Sequence, residues 1–179
     1  LDPHELRRRA KIINYALLYG KTAFTLAKDI GVSHPAAQAF IDAYFDGFPS
    51  VRDYIDEIIA RARKSGVVST MFGRQRRVPE LTSPNGQVRA AAERVTVNLP
   101  IQGTAADILK QAMISIHSDL PAETSMILTV HDELLFEVPE MTAESVASLV
   151  QDRMEHVVSL DVPLTVDVGL GPNWKEAKG

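Results

Sequence analysis

The stretch SMILTVHDELLFEV, residues 125–138, decides which class of fold this sequence encodes. Ser125–Val130 and Leu134–Val138 are rich in apolar residues with β-branched and aromatic side chains among them, which predicts two strands. The polar triplet His131-Asp132-Glu133 lies between the two runs and predicts a hairpin with these residues at its tip. We therefore expect an antiparallel sheet in this part of the chain.

Upstream of this hairpin the sequence predicts helices that are separated by short breaks. We expect helices over residues 4–19, 22–29, 33–46, 50–64, 87–97 and 104–118, and a small hairpin from Val67–Met71 and Arg76–Val78. Pro100 is expected to stop the helix over residues 87–97, and Thr104 to cap the helix that follows. Downstream, Thr142 is expected to cap a helix to about Val158, and Pro163–Val168 to form a final strand.

The order of these elements predicts an α+β fold with a mostly helical lobe first and a mixed lobe second. We place the first lobe at residues 1–90 and the second at residues 91–179. The boundary is expected near the loop Pro84–Gly86, which is the plainest loop in the sequence.

Charge is distributed unevenly along the 179 residues, whose net charge is −4. Residues 1–94 carry 15 Lys and Arg against 10 Asp and Glu, whereas residues 95–179 carry 4 against 13. A basic half suits a polyanionic partner and an acidic half suits metal ions, although an uneven solvated surface fits equally well. With no cysteine, the chain can form neither a disulfide framework nor a thiolate metal site. No apolar run is as long as a membrane span, so we expect no membrane partner.

Four side chains recur every four residues on the first predicted helix: Arg7, Lys11, Tyr15 and Tyr19. Each step of four advances by about 400°, so the four side chains form one slowly turning stripe. The two cations can bind phosphate oxygens, and the tyrosine rings can lie against a sugar and a base. A solvated basic face with two half-packed tyrosines is the alternative.

The carboxylates of Asp132 and Glu133 suggest a metal site at the hairpin tip. Mg²⁺ takes oxygen ligands, commonly one or two protein carboxylates together with substrate phosphates and waters. Phosphoryl transfer uses such ions, and His131 could donate a hydrogen bond to a DNA backbone oxygen. A plain polar turn is the alternative. The sequence contains no Gly-x-Ser-x-Gly, His-Glu-x-x-His or Walker motif.

Taken together, the motifs resemble those of the family A DNA polymerases. The segment RRRAKIINYALLYG (7–20) is similar to the family's fingers-helix motif, and VHDEL (130–134) is similar to its palm motif. Between them, RAAAER (89–94) with NLPIQGTAAD (98–107) resembles a third signature, and FGR (72–74) and the closing VGLG…W (168–174) agree as well. The resemblance runs from one end of the chain to the other.

The resemblance implies a role for each residue of the stripe. Arg7 and Lys11 are expected to contact the triphosphate of an incoming deoxynucleotide, with Lys11 also a candidate proton donor to the leaving pyrophosphate. Tyr15 is expected against the sugar and base, and Tyr19 at the position of the templating base. Residues 1–90 are then a fingers subdomain and residues 91–179 the C-terminal part of a palm, a fragment of a right-hand polymerase fold.

The same resemblance implies the DNA and metal contacts. Primer–template DNA is expected to touch a set of four polar residues, Arg94, Asn98, Gln102 and His131. Asp132 is expected to be a Mg²⁺ ligand in a two-metal mechanism, and Glu133 a nearby carboxylate with a weaker claim on the metal. Such an enzyme is expected in the cytoplasm, in association with the nucleoid.

Two departures from the family pattern carry further expectations. Many relatives have Phe where this chain has Tyr15, so we expect weak discrimination against dideoxynucleotides. The family's other metal-binding aspartate lies in an Asp-Tyr-Ser-x-x-Glu motif upstream of the fingers helix, and this motif does not occur in the sequence. We therefore expect residues 1–179 to act only together with the remainder of a polymerase chain, which would supply this aspartate. The thumb, the upstream palm segment and any exonuclease domain are also expected to lie outside these residues. Alone, residues 1–179 are expected to be inactive.

Two other functions remain open from the residues. A fragment of a single-subunit RNA polymerase would use a similar helix ending in Tyr-Gly, but those relatives usually have Ser at the position of Glu133. A non-catalytic DNA-binding fragment is the second alternative, and the presence of Arg7, Lys11 and Asp132 argues against it.

Overall fold

A computed structural model describes residues 2–178 of the chain. The chain divides into two compact units, Leu1–Thr104 and Ala105–Gly179. The helical first part and the antiparallel hairpins confirm the predicted α+β class.

The first unit contains five α-helices and one small hairpin. The helices are α1 (Pro3–Leu18), α2 (Ala23–Ile30), α3 (His34–Gly47), α4 (Pro49–Ser65) and α5 (Gly86–Asn98). The strands β1 (Val67–Ser69) and β2 (Gln75–Arg77) pair antiparallel, as the sequence predicts. A 3₁₀ turn (Pro79–Thr82) precedes α5, and a π-helical turn (Leu99–Gly103) follows it.

Side-chain caps start the short helices of this unit. The hydroxyl of Thr22 accepts a hydrogen bond from the backbone N–H of Thr25, and that of Ser33 accepts one from Ala36. These bonds satisfy backbone donors that have no partner inside the first turn of a helix. The predicted starts of α2 and α3 are therefore confirmed within one residue.

Two separate apolar clusters stabilise the first unit. One joins α1, α2 and α3 through the buried residues Ala16, Leu17, Ala23, Leu26, Ile30, Ala37 and Ile41. The other joins α4, β1, the 3₁₀ turn and α5 through Ile58, Ala62, Val68, Val78, Leu81, Ala92 and Val97. The first cluster holds the helix that carries the tyrosine stripe, and the second holds the helix that carries the third motif.

The α-helix α5 ends at Asn98, one residue beyond its predicted end and two residues before Pro100, which confirms the expectation that Pro100 stops it. The π-helical turn that follows was not expected from the sequence. The backbone keeps helical dihedral angles at Asn98 and Leu99 and continues through the π-helical turn Leu99–Gly103. Proline has no N–H to donate and its ring clashes with the preceding turn of an α-helix. A wider π turn accommodates it, and such turns are frequent at functional sites.

The expectation that Thr104 caps a helix is wrong. Its dihedral angles are helical, and its hydroxyl accepts a hydrogen bond of 3.0 Å from the backbone N–H of Met71 in the β1–β2 hairpin. Arg74 of the same hairpin donates from Nη2 to the carbonyl oxygen of Gly103 at 2.9 Å. These bonds explain why the first compact unit extends to Thr104. The predicted functional division near residue 90 stays a prediction.

The second unit contains two larger helices and one hairpin around its own core. Its elements are α6 (Thr104–Asp119), β3 (Ser125–Val130), β4 (Glu133–Glu137), a 3₁₀ turn (Glu140–Thr142), α7 (Ala143–Glu155) and α8 (Trp174–Ala177). Ala112 and Ile116 of α6 are buried with Val146 and Val150 of α7. Thr142 makes no capping bond, because its hydroxyl donates to the carbonyl oxygen of Pro139.

The predicted final strand Pro163–Val168 is not a strand within the residues that the structure describes. Side chains of α7 bond this segment in place of a neighbouring strand. The amide of Gln151 donates to the carbonyl oxygen of Val166, and Glu155 accepts from the N–H of Val166, each at 2.9 Å. A backbone bonded by side chains satisfies its polar groups without forming a ladder.

Over residues 2–178, no helix combines the length and the apolar character that a membrane span requires.

Gly103 provides a test of the contact between the hairpin and the π-helical turn. A Cβ on Gly103 would lie 2.7 Å from Cγ2 of Thr70 and 3.3 Å from Nη2 of Arg74, so we expect Gly103→Ala to destabilise the protein by about 1–3 kcal/mol. Gly47→Ala is the matched control, because no atom lies within 4 Å of its Cβ position. Urea unfolding measures both, and equal stabilities of the two variants would contradict the tight contact.

Candidate functional site

One carboxylate near the start of α1 pairs with two of its arginines. Glu5 accepts two hydrogen bonds of 2.8 Å from Arg8, in the paired geometry of a guanidinium and a carboxylate, and one of 2.9 Å from Arg9. Among residues 2–178, Arg7 and Lys11 have no ion pair. Arg7 and Lys11 are therefore the cations of this helix that remain available to an anion.

The same contacts shift the protonation of the paired groups. Hydrogen bonds from Arg8 and Arg9 lower the pKa of Glu5 from 4.5 to about 2, and the bond to Glu5 raises the pKa of Arg8. Glu5 therefore stays ionised at every pH at which the protein is expected to work.

A cleft of about 450 Å³ runs along α1 and contains most of the predicted stripe. Its lining is Arg8, Lys11, Ile12, Tyr15, Ala16, Tyr19 and Lys21. Arg8 is paired with Glu5, and Lys21 with Asp29 at 2.6 Å. Lys11 is thus the cation of this lining that has no acidic partner in the described chain. Arg7, which the sequence places in the same stripe, does not line the cleft.

The two tyrosines form one aromatic surface in this cleft. The rings of Tyr15 and Tyr19 are nearly parallel, with an interplanar angle of 7° and centroids 6.1 Å apart. Tyr15 is 57% exposed, which leaves its ring open to a ligand. An exposed ring stacked on a half-buried one, next to an unpaired cation, can bind a base or sugar and an attached phosphate.

The third motif meets the end of α1. Gly20 has a φ of +67°, the left-handed conformation that glycine adopts most readily after a helix. A Cβ at Gly20 would lie 3.5 Å from Cγ of Arg94, so the exposed Arg94 of α5 packs beside this turn. The fold thereby brings the predicted DNA contact Arg94 next to the tyrosine end of the stripe.

Asn98 and Gln102 lie further along the same segment. Asn98 ends α5, and its buried Oδ1 has no hydrogen-bond partner in the described chain. Gln102 is exposed within the π-helical turn. An unsatisfied buried oxygen costs free energy unless a ligand or water supplies a donor, so Asn98 is a suitable ligand contact.

The turn of the β3–β4 hairpin has two residues, His131 and Asp132, and is shorter than the sequence predicts. Glu133 is the first residue of β4 and pairs with Val130. His131 has a φ of +56°, and it is the sole non-glycine residue with a positive φ from residue 2 to 178. Positive φ at the first turn position is what a tight two-residue hairpin requires. The turn leaves His131 and Asp132 exposed to solvent.

The two carboxylates at this turn have different surroundings. Glu133 accepts a hydrogen bond of 2.6 Å from Nζ of Lys178, near the end of the chain. Asp132 is exposed and makes no hydrogen bond or ion pair within the part of the chain that the structure describes. Asp132 is therefore the carboxylate that is free to bind a cation.

The carboxylates at the tip of the β3–β4 hairpin provide only part of the ligands that a Mg²⁺ ion needs. Residues 2–178 contain no group of three His, Asp or Glu side chains that could hold a metal. Mg²⁺ accepts one or two protein carboxylates and completes its shell with waters and substrate phosphates. Asp132 fits such a ligand, whereas Glu133 is occupied by Lys178.

The predicted site residues fall into two groups. Arg7, Lys11, Tyr15, Tyr19, Arg94, Asn98 and Gln102 belong to the first unit, and His131, Asp132 and Glu133 belong to the second. Sequence reasoning missed Arg8 and Lys21 in the cleft, although Arg8 precedes Lys11 by the three residues that share a helix face. It also missed Lys178, which is 45 residues from Glu133 and has no local signal.

The family model of DNA polymerase family A matches residues 3–176 of the chain. A thermostable DNA polymerase I of Thermus filiformis is 47% identical over 179 residues, which are 99% of this chain and 21% of that protein. DNA polymerase I of Pseudomonas aeruginosa is 48% identical over 174 residues, 96% of this chain and 19% of that protein. The chain thus spans about a fifth of the length of these relatives.

A solved structure agrees in three dimensions. The POL domain of Pol1 from M. smegmatis, in complex with DNA primer-template and dNTP, superposes with a TM-score of 0.93 and 46% identity. The match covers 99% of this chain and 32% of that one.

The pairing at the start of α1 predicts a specific titration. We expect the Glu5 carboxyl to titrate near pH 2, and the substitutions Arg8→Gln and Arg9→Gln together to return its pKa toward 4.5. Because the pKa is lowered by folding, these contacts contribute their full stabilisation above about pH 4.5 and lose it as the pH falls to about 2. Carbon-detected NMR of the side-chain carboxyl measures both midpoints. A titration near 4.5 in the unsubstituted protein would show that the contacts do not form.

Proposed function

This chain belongs to DNA polymerase family A, and on that premise we propose that it takes part in template-directed DNA synthesis. In this proposal α1 binds the incoming deoxynucleoside triphosphate and the β3–β4 hairpin supplies a metal-binding carboxylate. The reaction is nucleotidyl transfer from the triphosphate to a primer 3′-hydroxyl. The names of the relatives favour DNA synthesis over RNA synthesis or mere DNA binding.

The observation that carries the proposal is the selective pairing of cations in the α1 cleft. Glu5 and Asp29 pair with Arg8 and Lys21, and Lys11 is left unpaired beside the stacked tyrosines. A general basic surface would not combine one free cation with two parallel rings. This arrangement suits a ligand that has a phosphate at one end and a sugar and base at the other.

Each residue of the stripe has a proposed task. Arg7 and Lys11 bind phosphate oxygens and compensate the charge of the triphosphate. Lys11 donates a proton to the leaving pyrophosphate, which its unpaired ammonium group makes possible. Tyr15 lies against the sugar and base, and Tyr19 occupies the position that the templating base takes up.

Asp132 has the proposed role of a Mg²⁺ ligand, since it is exposed and unpaired at the tight turn. Mg²⁺ bound there with substrate phosphates would favour deprotonation of the attacking hydroxyl and neutralise charge on the leaving group. Glu133 has the lesser role of a nearby carboxylate, because Lys178 already neutralises its charge. The other carboxylate that a two-metal reaction needs is expected outside these residues.

Four polar residues are proposed to contact the primer–template: Arg94, Asn98, Gln102 and His131. The minor groove offers acceptors that differ little between correct base pairs, so amide and guanidinium donors there can check shape without reading sequence. The exposed side chain of Gln102 supports this role. The unsatisfied Oδ1 of Asn98 can only accept a hydrogen bond, for which the minor groove offers the N2 amino group of guanine.

The chain is proposed to act as part of a longer polymerase. Residues 1–90 form its fingers and residues 91–179 the C-terminal part of its palm. An enzyme that copies bacterial DNA works in the cytoplasm at the nucleoid, and that is the location we propose. These residues alone are not expected to extend a primer.

The metal role is tested by two matched charge-neutralising substitutions in a polymerase that contains this chain. We expect Asp132→Asn to lower the rate of primer extension about a thousandfold, because metal stabilisation of the transition state is worth several kcal/mol. Glu133→Gln is expected to cost at most about tenfold, since Lys178 neutralises that carboxylate. Single-turnover extension at saturating Mg²⁺ measures both rates. Equal losses in the two variants would refute the division of roles.

The proposed position of Tyr15 is tested by comparing the incorporation of deoxynucleotides and dideoxynucleotides. Its hydroxyl can supply a hydrogen bond near the 3′ position that a dideoxynucleotide does not fill, so Tyr15→Phe is expected to increase discrimination against dideoxynucleotides. One hydrogen bond is worth about 1 kcal/mol, which predicts a change of about fivefold or more in the incorporation ratio. Competition between the two nucleotides measures that ratio. An unchanged ratio would refute the proposed position of the ring.

A further inference from the structure

The stretch from the second half of α4 to the end of the β1–β2 hairpin is basic and contains no acidic residue of its own. Residues 58–79 contain six Lys and Arg and no Asp or Glu, in a chain whose net charge is −4. Arg63 is paired with Glu93 of α5. Arg76 and Arg77 of β2 are exposed and have no ion pair in the described chain. Two fixed and unbalanced guanidinium groups on one strand create a local positive potential.

The hairpin that presents these arginines is firmly attached to the first unit. Val68 of β1 is buried, and Val78 donates its N–H to the carbonyl oxygen of Gly66. At the turn, the buried hydroxyl of Thr70 accepts from the N–H of Arg74. Because the strand is held in this way, its backbone needs no ordering when its side chains bind a ligand.

The attachment also joins the hairpin to the segment with the predicted DNA contacts. Met71 and Arg74 are bonded to Thr104 and Gly103, and Gly103 directly follows Gln102 in the chain. A ligand that touches the π-helical turn therefore meets the hairpin as a neighbouring rigid surface within the same unit.

The exposed tip of the hairpin adds apolar surface to this charge. Met71 and Phe72 are 71% and 44% exposed. Cationic side chains beside an exposed aromatic ring are the combination that binds sugar–phosphate backbone and unstacked bases.

We propose that the β1–β2 hairpin is a binding site for the sugar–phosphate backbone of the primer–template, with Arg76 and Arg77 on phosphates. The proposal rests on the proposed function and adds a DNA contact outside the motif residues. In the antiparallel register Arg76 lies opposite Val68 and Arg77 opposite Val67, so the two side chains leave the strand on opposite faces. The side chains of Arg76 and Arg77 can therefore reach two different phosphates, one on each face of strand β2.

The test is the salt dependence of DNA binding by a polymerase that contains this chain. Fluorescence anisotropy with a primer–template duplex, at a series of KCl concentrations, gives the slope of log K against log salt. For the double variant Arg76→Ala/Arg77→Ala we expect the magnitude of this slope to fall by about two, one for each phosphate that no longer meets a cation, with weaker affinity for every duplex sequence. Arg76→Lys/Arg77→Lys is expected to keep the slope, because an ammonium group also displaces counterions.

Lys28→Ala/Lys175→Ala is the charge-matched control, since both lysines are exposed and lie outside the hairpin. Its slope is expected to equal that of the unsubstituted protein. Equal slopes for the hairpin variant and the control would overturn the inference, whether both change or neither does. The thermal unfolding midpoint of the hairpin variant shows that the hairpin still folds. Failure of the unsubstituted polymerase to bind and extend the primer would instead reject the proposed function.

Discussion

The close approach of the β1–β2 hairpin to the π-helical turn is the constraint on which the first unit depends. Gly103 has no side chain, and this lets Thr70 and Arg74 reach the backbone of the turn. Pro100 lies in a turn that is wider than an α-helix, and Arg74 of the hairpin donates to the carbonyl oxygen of Gly103 at the end of this turn. This contact joins the segment that carries the third motif to the hairpin that carries the basic strand.

Charge pairing decides what the α1 cleft can bind. Its helix is rich in cations, and a helix of this composition would ordinarily be a solvated face. Glu5 forms an ion pair with Arg8, and Asp29 forms one with Lys21, so these two cations are less available to an anionic ligand. The available positive charge is then concentrated at Lys11, next to the aromatic surface. Because Arg8 and Lys21 are paired, the cleft has one available cation, Lys11, on one side and the rings of Tyr15 and Tyr19 on the other.

A similar selection operates at the β3–β4 hairpin. The two-residue turn forces His131 to a positive φ, a conformation that costs free energy for any residue other than glycine. In return, Asp132 is held at the outermost point of a tight turn. Lys178 neutralises the charge of Glu133, so two adjacent carboxylates differ in their availability to a cation. In the α1 cleft and at the β3–β4 turn alike, the neighbouring charged groups are paired with each other or with a distant residue. Lys11 in the cleft and Asp132 at the turn remain without an ion-pair partner in the described chain.

The sequence by itself determined the family, the helices of the first unit, the cap at Ser33, both hairpins and the stripe from Arg7 to Tyr19. These features depend on periodicity, capping and turn residues within a few positions along the chain, where local geometry is decisive. Only the tertiary structure decided which charges are paired, that a π-helical turn follows α5 at Pro100 and that Val166 is held by side chains. These outcomes depend on groups far apart in sequence, as Glu133 and Lys178 are, and no local pattern records which of them the packed chain brings together.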